Sequence, residues 1–189
     1  QPLRIERAAR QGRWVDLNVT KSSTVYENPV LTLWIEHGAQ VQNGRYGYVI
    51  APRKTAAQMS AFAAAPPVAL RALDERIHAI EWPGEGALGA VFWAPGRFGE
   101  FEANAKCLVL RRRQGADYQL ALCDPGRQMR SITLTIYERL RAVELPEGAA
   151  SEPAADGSAV TRVNLPVSEG RAAVARFTVE PARSLLQVR

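Results

Sequence analysis

Short stretches in which apolar and polar residues alternate recur along this chain of 189 residues. The clearest is 130–138, where every second residue from Ile132 to Ile136 is a branched apolar residue. Alternation with period two is typical of a strand with one buried face. The same pattern predicts strands at 14–20, 30–36, 45–51, 76–82, 87–93, 105–112, 117–123, 130–138, 160–165, 172–179 and 184–188. Many short strands separated by Gly and Pro predict an all-β chain, folded as an antiparallel β-sandwich.

One segment between these strands has a helical pattern instead. Thr55 and Gln58 have the spacing of a capping box, in which each side chain bonds the backbone N–H of the other residue. Met59 and Phe62 then form a short apolar stripe, and two consecutive prolines follow at 66 and 67. Because proline disfavours helical geometry in the residue before it, the helix is expected to end there.

This helix marks the predicted domain boundary. The three strands before it are too few to bury a two-sheet core, whereas about eight strands follow it, enough for a complete small sandwich. We therefore predict that residues 1–65 are the end of a larger β domain and that residues 66–189 are a whole C-terminal sandwich domain. The polar, Gly- and Pro-containing segment 147–158 is predicted to be an exposed loop within the second domain.

Composition excludes some classes of protein. Apolar residues make up 47% of the chain and charged residues 23%, as in an ordinary globular protein. No apolar run approaches the roughly 20 residues of a membrane helix, and no signal peptide is visible, so we predict no membrane partner. Because the chain starts at Gln1 and soon enters a strand-like segment, we expect it to be part of a longer protein.

The formal net charge of +5 permits binding to polyanions. The charges are scattered, however, and the one dense run, Arg111-Arg112-Arg113, precedes Gln-Gly at a predicted hairpin end. Such a run is typical of a solvated surface, and a binding role for it is the alternative. We predict no nucleic-acid partner.

The cysteines and histidines predict no metal site and no cofactor. Cys107 and Cys123 lie in strands joined near Gly115, and a turn centred there would place them opposite each other on one face. They would then form either a cross-strand disulfide or two small buried thiols. There is no Cys-x-x-Cys motif, and His37 and His78 are the only histidines, too few for a zinc cluster. Asp-Pro-Gly-Arg at 124–127 predicts a tight turn.

Three motifs lie in order near the start of the chain. They are Gly-Arg-Trp at 12–14, Leu-Trp-Ile-Glu-His-Gly at 33–38 and Asn-Gly-Arg-Tyr-Gly-Tyr-Val-Ile-Ala-Pro at 43–52. Together they resemble the end of the central β domain of polysaccharide lyase family 8, which includes hyaluronate, chondroitin AC and xanthan lyases. Later segments at 77–80, 91–93 and 120–125 are similar to parts of the family's small C-terminal β-sandwich. The resemblance covers nearly the whole chain.

The resemblance implies a role without catalysis. The family cleaves uronic-acid-containing polysaccharides by β-elimination, with catalytic Asn, His, Tyr and Arg residues in an N-terminal α/α-toroid. None of those roles is carried over to a residue here, so we assign no catalytic residue and expect this chain alone to be inactive. It is expected to support the toroid, as the end of the super-sandwich domain (1–65) and the C-terminal sandwich (66–189). Its implied partners are that toroid and an acidic polysaccharide, in an extracellular or periplasmic location.

Four residues are candidates for contact with the polysaccharide: Trp34, His37, Arg45 and Tyr46. Aromatic rings can stack on sugar rings, and Arg pairs with carboxylates in a bidentate manner. The alternative is that the aromatic residues pack in the core and that His37-Gly38 forms a turn. A chain that binds saccharide through such residues without the toroid would be an autonomous carbohydrate-binding module, which is the second functional hypothesis.

Overall fold

A computed structural model describes residues 2–156 and 158–181 of the chain. This part contains one α-helix, α1 (Ala56–Ala64), among fourteen strands. The strands are β1 (Leu3–Gly12), β2 (Tyr26–Ile35), β3 (Ala69–Leu73), β4 (Ile77–Trp82), β5 (Ala87–Phe92), β6 (Gly96–Phe98), β7 (Phe101–Ala103), β8 (Cys107–Gln114), β9 (Asp117–Cys123), β10 (Ser131–Ile136), β11 (Leu140–Glu144), β12 (Ala150–Pro153), β13 (Thr161–Pro166) and β14 (Ala173–Val179). All pairings between them are antiparallel, and the predicted all-β fold is confirmed.

Two predicted strands are wrong. Residues 14–20 alternate in sequence, yet Trp14–Asp16 forms a single 3₁₀ turn and the chain bends again at Asn18. The Asn18 side chain accepts a hydrogen bond from the Thr20 backbone N–H at 3.1 Å, which favours a turn over an extended strand. Residues 45–51 also form no strand, so the predicted strand–turn–strand reading of 31–52 holds only for its first half.

Other strands were missed by the alternation pattern: β1, β3, β6, β7, β11 and β12. The last of these lies inside the segment 147–158 that we predicted to be a loop. The sequence of β12 has no apolar alternation, because its residues are polar or small. Pairing with β13 nevertheless makes it a strand. The predicted strand at 184–188 lies outside the described residues.

The chain divides into two compact units, Gln1–Ile50 and Ala51–Arg189. The predicted boundary after residue 65 stays a prediction. In the first unit β1 and β2 form a two-stranded antiparallel ribbon in which Leu3 pairs with Ile35 and Ile5 with Leu33. Directly paired residues share a face, so these side chains form one apolar face. Leu3, Ile5 and Leu33 are each more than half exposed (58%, 64% and 56%), so this apolar face is open.

The second unit is a sandwich of two sheets. The seven-stranded sheet has the order β11-β14-β9-β8-β5-β4-β3, and the five-stranded sheet has the order β12-β13-β10-β7-β6. Their inward residues form one core, which includes Phe92, Tyr118 and Phe177 from the larger sheet and Phe101 and Leu134 from the smaller one. Fully burying a large apolar side chain stabilises a fold by about 1.5–3 kcal/mol, so this double layer supplies the main stability of the unit.

The outer face of the seven-stranded sheet carries an apolar row. Direct pairing places the following residues side by side across six strands: Leu70, Ile80, Gly89, Leu110, Ala121 and Val174. The larger side chains of this row are 40–57% exposed. This face therefore presents apolar surface to its surroundings, whereas the opposite face of the same sheet is core.

Helix α1 begins as predicted. The Gln58 backbone N–H donates to Thr55 Oγ1 at 3.3 Å, and the Thr55 backbone N–H donates to Gln58 Oε1 at 2.8 Å. This reciprocal pair is the predicted capping box. None of the helix residues is buried, so the stripe of Met59 and Phe62 does not enter the core.

The two cysteines are free and lie on opposite faces of the sheet. Cys123 pairs with Leu108, not with Cys107, because the β8–β9 turn is centred between Gly115 and Ala116. Cys107 is buried in the core, and the half-buried Cys123 donates through Sγ to the Gly170 carbonyl oxygen at 3.1 Å. The prediction that both thiols share one face is therefore wrong, because the turn is centred half a residue later than predicted.

Candidate functional site

The loop that follows β2 brings together three of the four candidate residues. Gly38, Gln40 and Asn43 have positive φ angles of 83°, 53° and 55°, so the chain turns repeatedly between His37 and Tyr46. Glycine and asparagine tolerate this left-handed geometry better than most residues. The turns return Tyr46 to His37, and the two ring centroids lie 5.9 Å apart with the rings edge to face.

An open groove of about 630 Å³ lies in the first unit. It is lined by Leu3, Leu33, Trp34, Ile35, His37, Tyr46, Tyr48, Val49 and Ile50. The rings of Tyr46 and Tyr48 are nearly parallel, with an interplanar angle of 4° and centroids 6.4 Å apart. Both tyrosines are exposed, at 58% and 71%, so neither of them packs in the core, which was the alternative for the aromatic residues.

His37 sits at the inner side of the same loop. Its Nδ1 atom is buried and has no hydrogen-bond partner among the described residues. Gly44 packs against this ring so closely that a Cβ atom there would lie 3.2 Å from His37 Nδ1 and 2.6 Å from Val41 Cγ1. A larger residue at 44 would therefore have to displace the Val41 and His37 side chains.

Arg45 is the candidate that the groove does not include. It is exposed in the loop between the turn and Tyr46, and it does not belong to the groove lining. Trp34 lines the groove and is 45% exposed. Three of the four candidates therefore meet at one surface, and Arg45 lies apart from it.

The groove can bind by stacking and by hydrogen bonds from phenol and imidazole groups. Its lining contains no carboxylate, Arg or Lys. Proton abstraction next to a uronate requires a group that neutralises the carboxylate as well as a base. The groove residues alone therefore do not form an elimination site.

The basic run at 111–113 has structural partners in the second unit. Arg111 Nε lies 2.9 Å from Glu100 Oε1, Arg112 Nη2 lies 3.0 Å from Glu85 Oε2, and Arg113 Nη1 lies 2.8 Å from Glu138 Oε1. Each guanidinium is thus paired with an acid on a neighbouring element. The run lies at the end of a hairpin, as predicted.

His78 and the predicted turn at 124–127 have local structural roles. His78 packs edge to face on Trp93, with ring centroids 5.5 Å apart. The Asp124 carboxylate accepts backbone N–H bonds from Gly126, Gln128 and Met129 at 2.7–2.8 Å.

Within residues 2–156 and 158–181, no group of three or more His, Cys, Asp or Glu residues could hold a metal ion. No helix in the described part of the chain is long and apolar enough to cross a membrane.

Comparison with known proteins identifies the family. Residues 1–63 match the super-sandwich domain of polysaccharide lyase family 8, and residues 72–133 match the C-terminal β-sandwich domain of the same family. The chain belongs to polysaccharide lyase family 8. The resemblance carried by the motifs at 12–14, 33–38 and 43–52 is confirmed, and the chain corresponds to part of the family's C-terminal β region.

Relatives with known names agree with this assignment. The chain is 36% identical over 94 residues to a xanthan lyase of Bacillus sp. (strain GL1), covering 48% of this chain and 10% of that protein. It is 28% identical over 131 residues to a hyaluronate lyase of Thermasporomyces composti, covering 68% of this chain and 17% of that protein. The chain thus spans at most a fifth of the length of the named relatives that it matches.

Solved structures share the fold. A Streptomyces coelicolor A3 chondroitin AC lyase superimposes with a TM-score of 0.79 at 23% identity, covering 95% of this chain and 24% of that one. A Paenibacillus xanthan lyase superimposes with a TM-score of 0.80 at 22% identity, covering 96% of this chain and 18% of that one. These likenesses show that the β fold of this chain occurs within larger lyase chains.

Proposed function

We propose that this chain is the non-catalytic C-terminal β region of a polysaccharide lyase that cleaves a uronic-acid-containing polysaccharide by β-elimination. The observation that carries the proposal is the succession of two segments of one family in one chain, super-sandwich at 1–63 and C-terminal sandwich at 72–133. In this proposal the chain supports an N-terminal α/α-toroid that holds the catalytic residues. An acidic polysaccharide is then the substrate of the whole protein, which acts outside the cell or in the periplasm.

The open apolar face of the β1–β2 ribbon supports this assignment. Leu3, Ile5 and Leu33 would each lose apolar surface to a covering sheet, and burial of each is worth about 1.5–3 kcal/mol. A two-stranded ribbon is also only marginally stable by itself. Both properties fit a segment whose remaining partners belong to another part of a larger lyase.

The test compares this chain with the complete protein that its gene encodes. Each is incubated with hyaluronan, chondroitin sulfate and xanthan, and the ultraviolet absorbance of the unsaturated uronide product is followed. We expect product from the complete protein and none from this chain. Product from this chain alone would overturn the non-catalytic role. A complete protein inactive on all three polymers would overturn the lyase assignment.

A second candidate function is an autonomous carbohydrate-binding module. It is favoured by the groove at Trp34, His37 and Tyr46, where exposed aromatic rings line a cavity large enough for a sugar unit. Arg45, in the same loop, would pair with a uronate carboxylate at the edge of this site. Binding without catalysis would then be the main activity of the chain.

Retention on immobilised acidic polysaccharide tests this candidate. Trp34→Ala and Tyr46→Ala are expected to weaken retention several-fold, and Arg45→Ala to weaken it mainly at low salt. Trp14→Ala is the matched control, because Trp14 is a 58% exposed tryptophan of the same unit that does not line the groove. Equal retention of all four variants would remove the groove as a saccharide site.

A further inference from the structure

The outer face of the five-stranded sheet is polar, whereas the outer face of the seven-stranded sheet carries an apolar row. Six of its residues define what we call the polar face: Arg97, Glu102, Thr133, Thr135, Arg162 and Asn164. Pairing places Arg162, Thr135, Glu102 and Arg97 in one row across four adjacent strands, β13, β10, β7 and β6. The inward neighbours of these residues are core, so the whole row points away from the core.

The two arginines of this row lack acidic partners. Elsewhere in the second unit the arginines of the large sheet are paired, as in Arg71–Glu81, Arg112–Glu85 and Arg176–Glu144. Among the described residues no carboxylate lies within ion-pair distance of Arg97 or Arg162. This is notable because Glu102 lies directly opposite Arg97 and Glu152 directly opposite Arg162 in the strand register.

Arg97 is held in place by an aromatic ring instead. Its guanidinium carbon lies 3.7 Å from the centroid of the Tyr137 ring. The Tyr137 hydroxyl donates to Glu102 Oε2, which fixes the ring and occupies the carboxylate that Arg97 would otherwise approach. A cation on an aromatic face keeps its N–H donors free for a ligand in the plane of the guanidinium.

Hydroxyl and amide groups lie in the row of the arginines and in the row beside it. Asn164 Nδ2 donates to Thr133 Oγ1 at 3.3 Å, and the Thr133 backbone N–H donates to Asn104 Oδ1 at 3.0 Å. These bonds orient the two amides and leave further donor and acceptor positions on them. Thr135 adds a half-buried hydroxyl between the arginines. The polar face thus combines two arginines with the Glu102 carboxylate and with neutral hydrogen-bonding groups.

We propose that the polar face is a binding platform for an acidic polysaccharide chain, in which Arg97 and Arg162 pair with successive uronate carboxylates. Three inter-strand spacings separate the two arginines, or about 14 Å, so a chain lying across the strands meets both. Thr133, Thr135 and Asn164 bond sugar hydroxyls between them. This inference rests on the proposed function for the substrate class, and it adds a binding site on the C-terminal sandwich.

The charge pattern favours a polysaccharide over a nucleic acid. Duplex DNA carries one negative charge per roughly 1.7 Å, and it is bound by dense groups of Lys and Arg. The polar face has Glu102 and Glu152 in the same row as its two arginines, which would repel so dense a polyanion. A polysaccharide carries several hydroxyl groups between successive carboxylates. Its carboxylates can pair with the arginines while its hydroxyls donate to Glu102 and Glu152.

The experiment measures binding of this chain to hyaluronan by affinity electrophoresis at several salt concentrations, with dextran as the neutral polymer. Because each charge-assisted pair contributes a factor of about ten in affinity and two pairs are lost, the double variant R97A/R162A is expected to bind roughly a hundredfold more weakly. The control R141A/R176A removes the same charge from the seven-stranded sheet and is expected to bind within about threefold of the unaltered chain. Equal urea midpoints establish that both variants fold.

The outcomes separate this proposal from the lyase assignment. Loss confined to R97A/R162A supports the platform. The proposal is overturned if both double variants lose binding equally or if the unaltered chain does not bind hyaluronan. It is also overturned if the chain binds dextran as well as hyaluronan, or if R97A/R162A weakens binding to duplex DNA as much as binding to hyaluronan. Lyase activity is measured in parallel on the unaltered complete protein. If that protein is active while R97A/R162A leaves hyaluronan binding of this chain unchanged, the platform alone is refuted.

Discussion

The Tyr118 hydroxyl donates to Glu100 Oε1 at 3.1 Å, and the same oxygen accepts from Arg111 Nε at 2.9 Å. The tyrosine is fully buried, and Arg111 and Glu100 are largely buried at the edge of the sandwich. Burial, followed by the nearby Glu100 carboxylate, raises the pKa of Tyr118 well above its ordinary value, so the phenol stays protonated as a donor. The three side chains form one satisfied polar group at the core boundary.

Tyr118→Phe removes the donor and leaves the ion pair. We expect it to lower the free energy of unfolding by about 1.5 kcal/mol, the typical value of a hydrogen bond to a charged group. Glu100→Ala leaves the Arg111 charge and the tyrosine hydroxyl without their shared acceptor, and it is expected to cost about 3 kcal/mol. Urea unfolding measures both. A larger loss for Tyr118→Phe than for Glu100→Ala would contradict this reading.

Gly86 and Gly115 test two separate effects of a methyl group. Both have positive φ angles, of 58° and 60°. At Gly115 a Cβ atom meets nothing within 4 Å, so Gly115→Ala is expected to cost only the backbone strain, about 1 kcal/mol. At Gly86 the Cβ atom would lie 2.0 Å from the Arg113 carbonyl oxygen, and relief would disturb the 2.8 Å bond from Arg113 N–H to the Gly86 oxygen.

We therefore expect Gly86→Ala to cost about 3 kcal/mol, because strain and a backbone clash add. Thermal unfolding of the two variants side by side gives the comparison, and the Gly115 variant serves as the control for left-handed geometry. Similar losses at both positions would show that the contact at Arg113 relaxes without cost.

Thr161 has a buried hydroxyl with two backbone partners. Its Oγ1 donates to the Glu138 carbonyl oxygen at 2.8 Å and accepts from the Leu140 N–H at 2.8 Å. Thr161→Val keeps the shape but leaves both backbone groups unpaired, and it is expected to cost about 2 kcal/mol or more. Thr161→Ser keeps the hydroxyl and should cost less. If denaturant unfolding shows that Thr161→Ser lowers the free energy of unfolding more than Thr161→Val, the hydroxyl does not stabilise this site.

Asp124 predicts a specific pH dependence. Its backbone donors, of which Met129 N–H has the largest effect, hold the pKa of its carboxyl below the ordinary value of about 3.9. A carboxyl with a lowered folded-state pKa contributes stability that is fully present above the unfolded value and is lost as the pH falls through the folded value. We expect urea midpoints of the unaltered chain to fall steeply below about pH 4.

Asp124→Asn removes this titration. The variant is expected to have a lower midpoint at neutral pH, since the amide supplies one acceptor oxygen where the carboxylate supplies two. Its midpoint should then change less between about pH 4 and pH 2 than that of the unaltered chain. Parallel acid profiles for the two proteins would show that Asp124 is not a source of the acid sensitivity.

The strands of the sandwich were predictable because burial there follows the alternation of the sequence. The strand 117–123 was predicted with its bounds, and it alternates between core and outer residues along its length. Strand β1 was missed because its alternation of apolar and charged residues stops at Arg7, which lies on the same face as Leu3 and Ile5. In the structure Arg4 pairs with Glu36 and Arg10 with Glu6 on the surface.

The site was predictable only in part. The motif at 33–38 and 43–52 identified the loop that brings His37 to Tyr46. The strand predicted for 45–51 was wrong, because the turns at Gln40 and Asn43 lead into a loop with no paired strand among the described residues. The polar face escaped prediction altogether, since its residues come from four strands and only the register joins them.

The half-residue offset of the β8–β9 turn gives this protein two thiols that report on different events. Burial, then the Asp124 charge, raises the pKa of Cys107 to about 12, and its side chain is only 1% exposed. Alkylation of Cys107 at mild pH therefore requires the two sheets to separate, whereas Cys123 needs only its bond to Gly170 to open. Mass spectrometry of timed alkylation would thus follow local loosening and global opening separately in one unaltered chain.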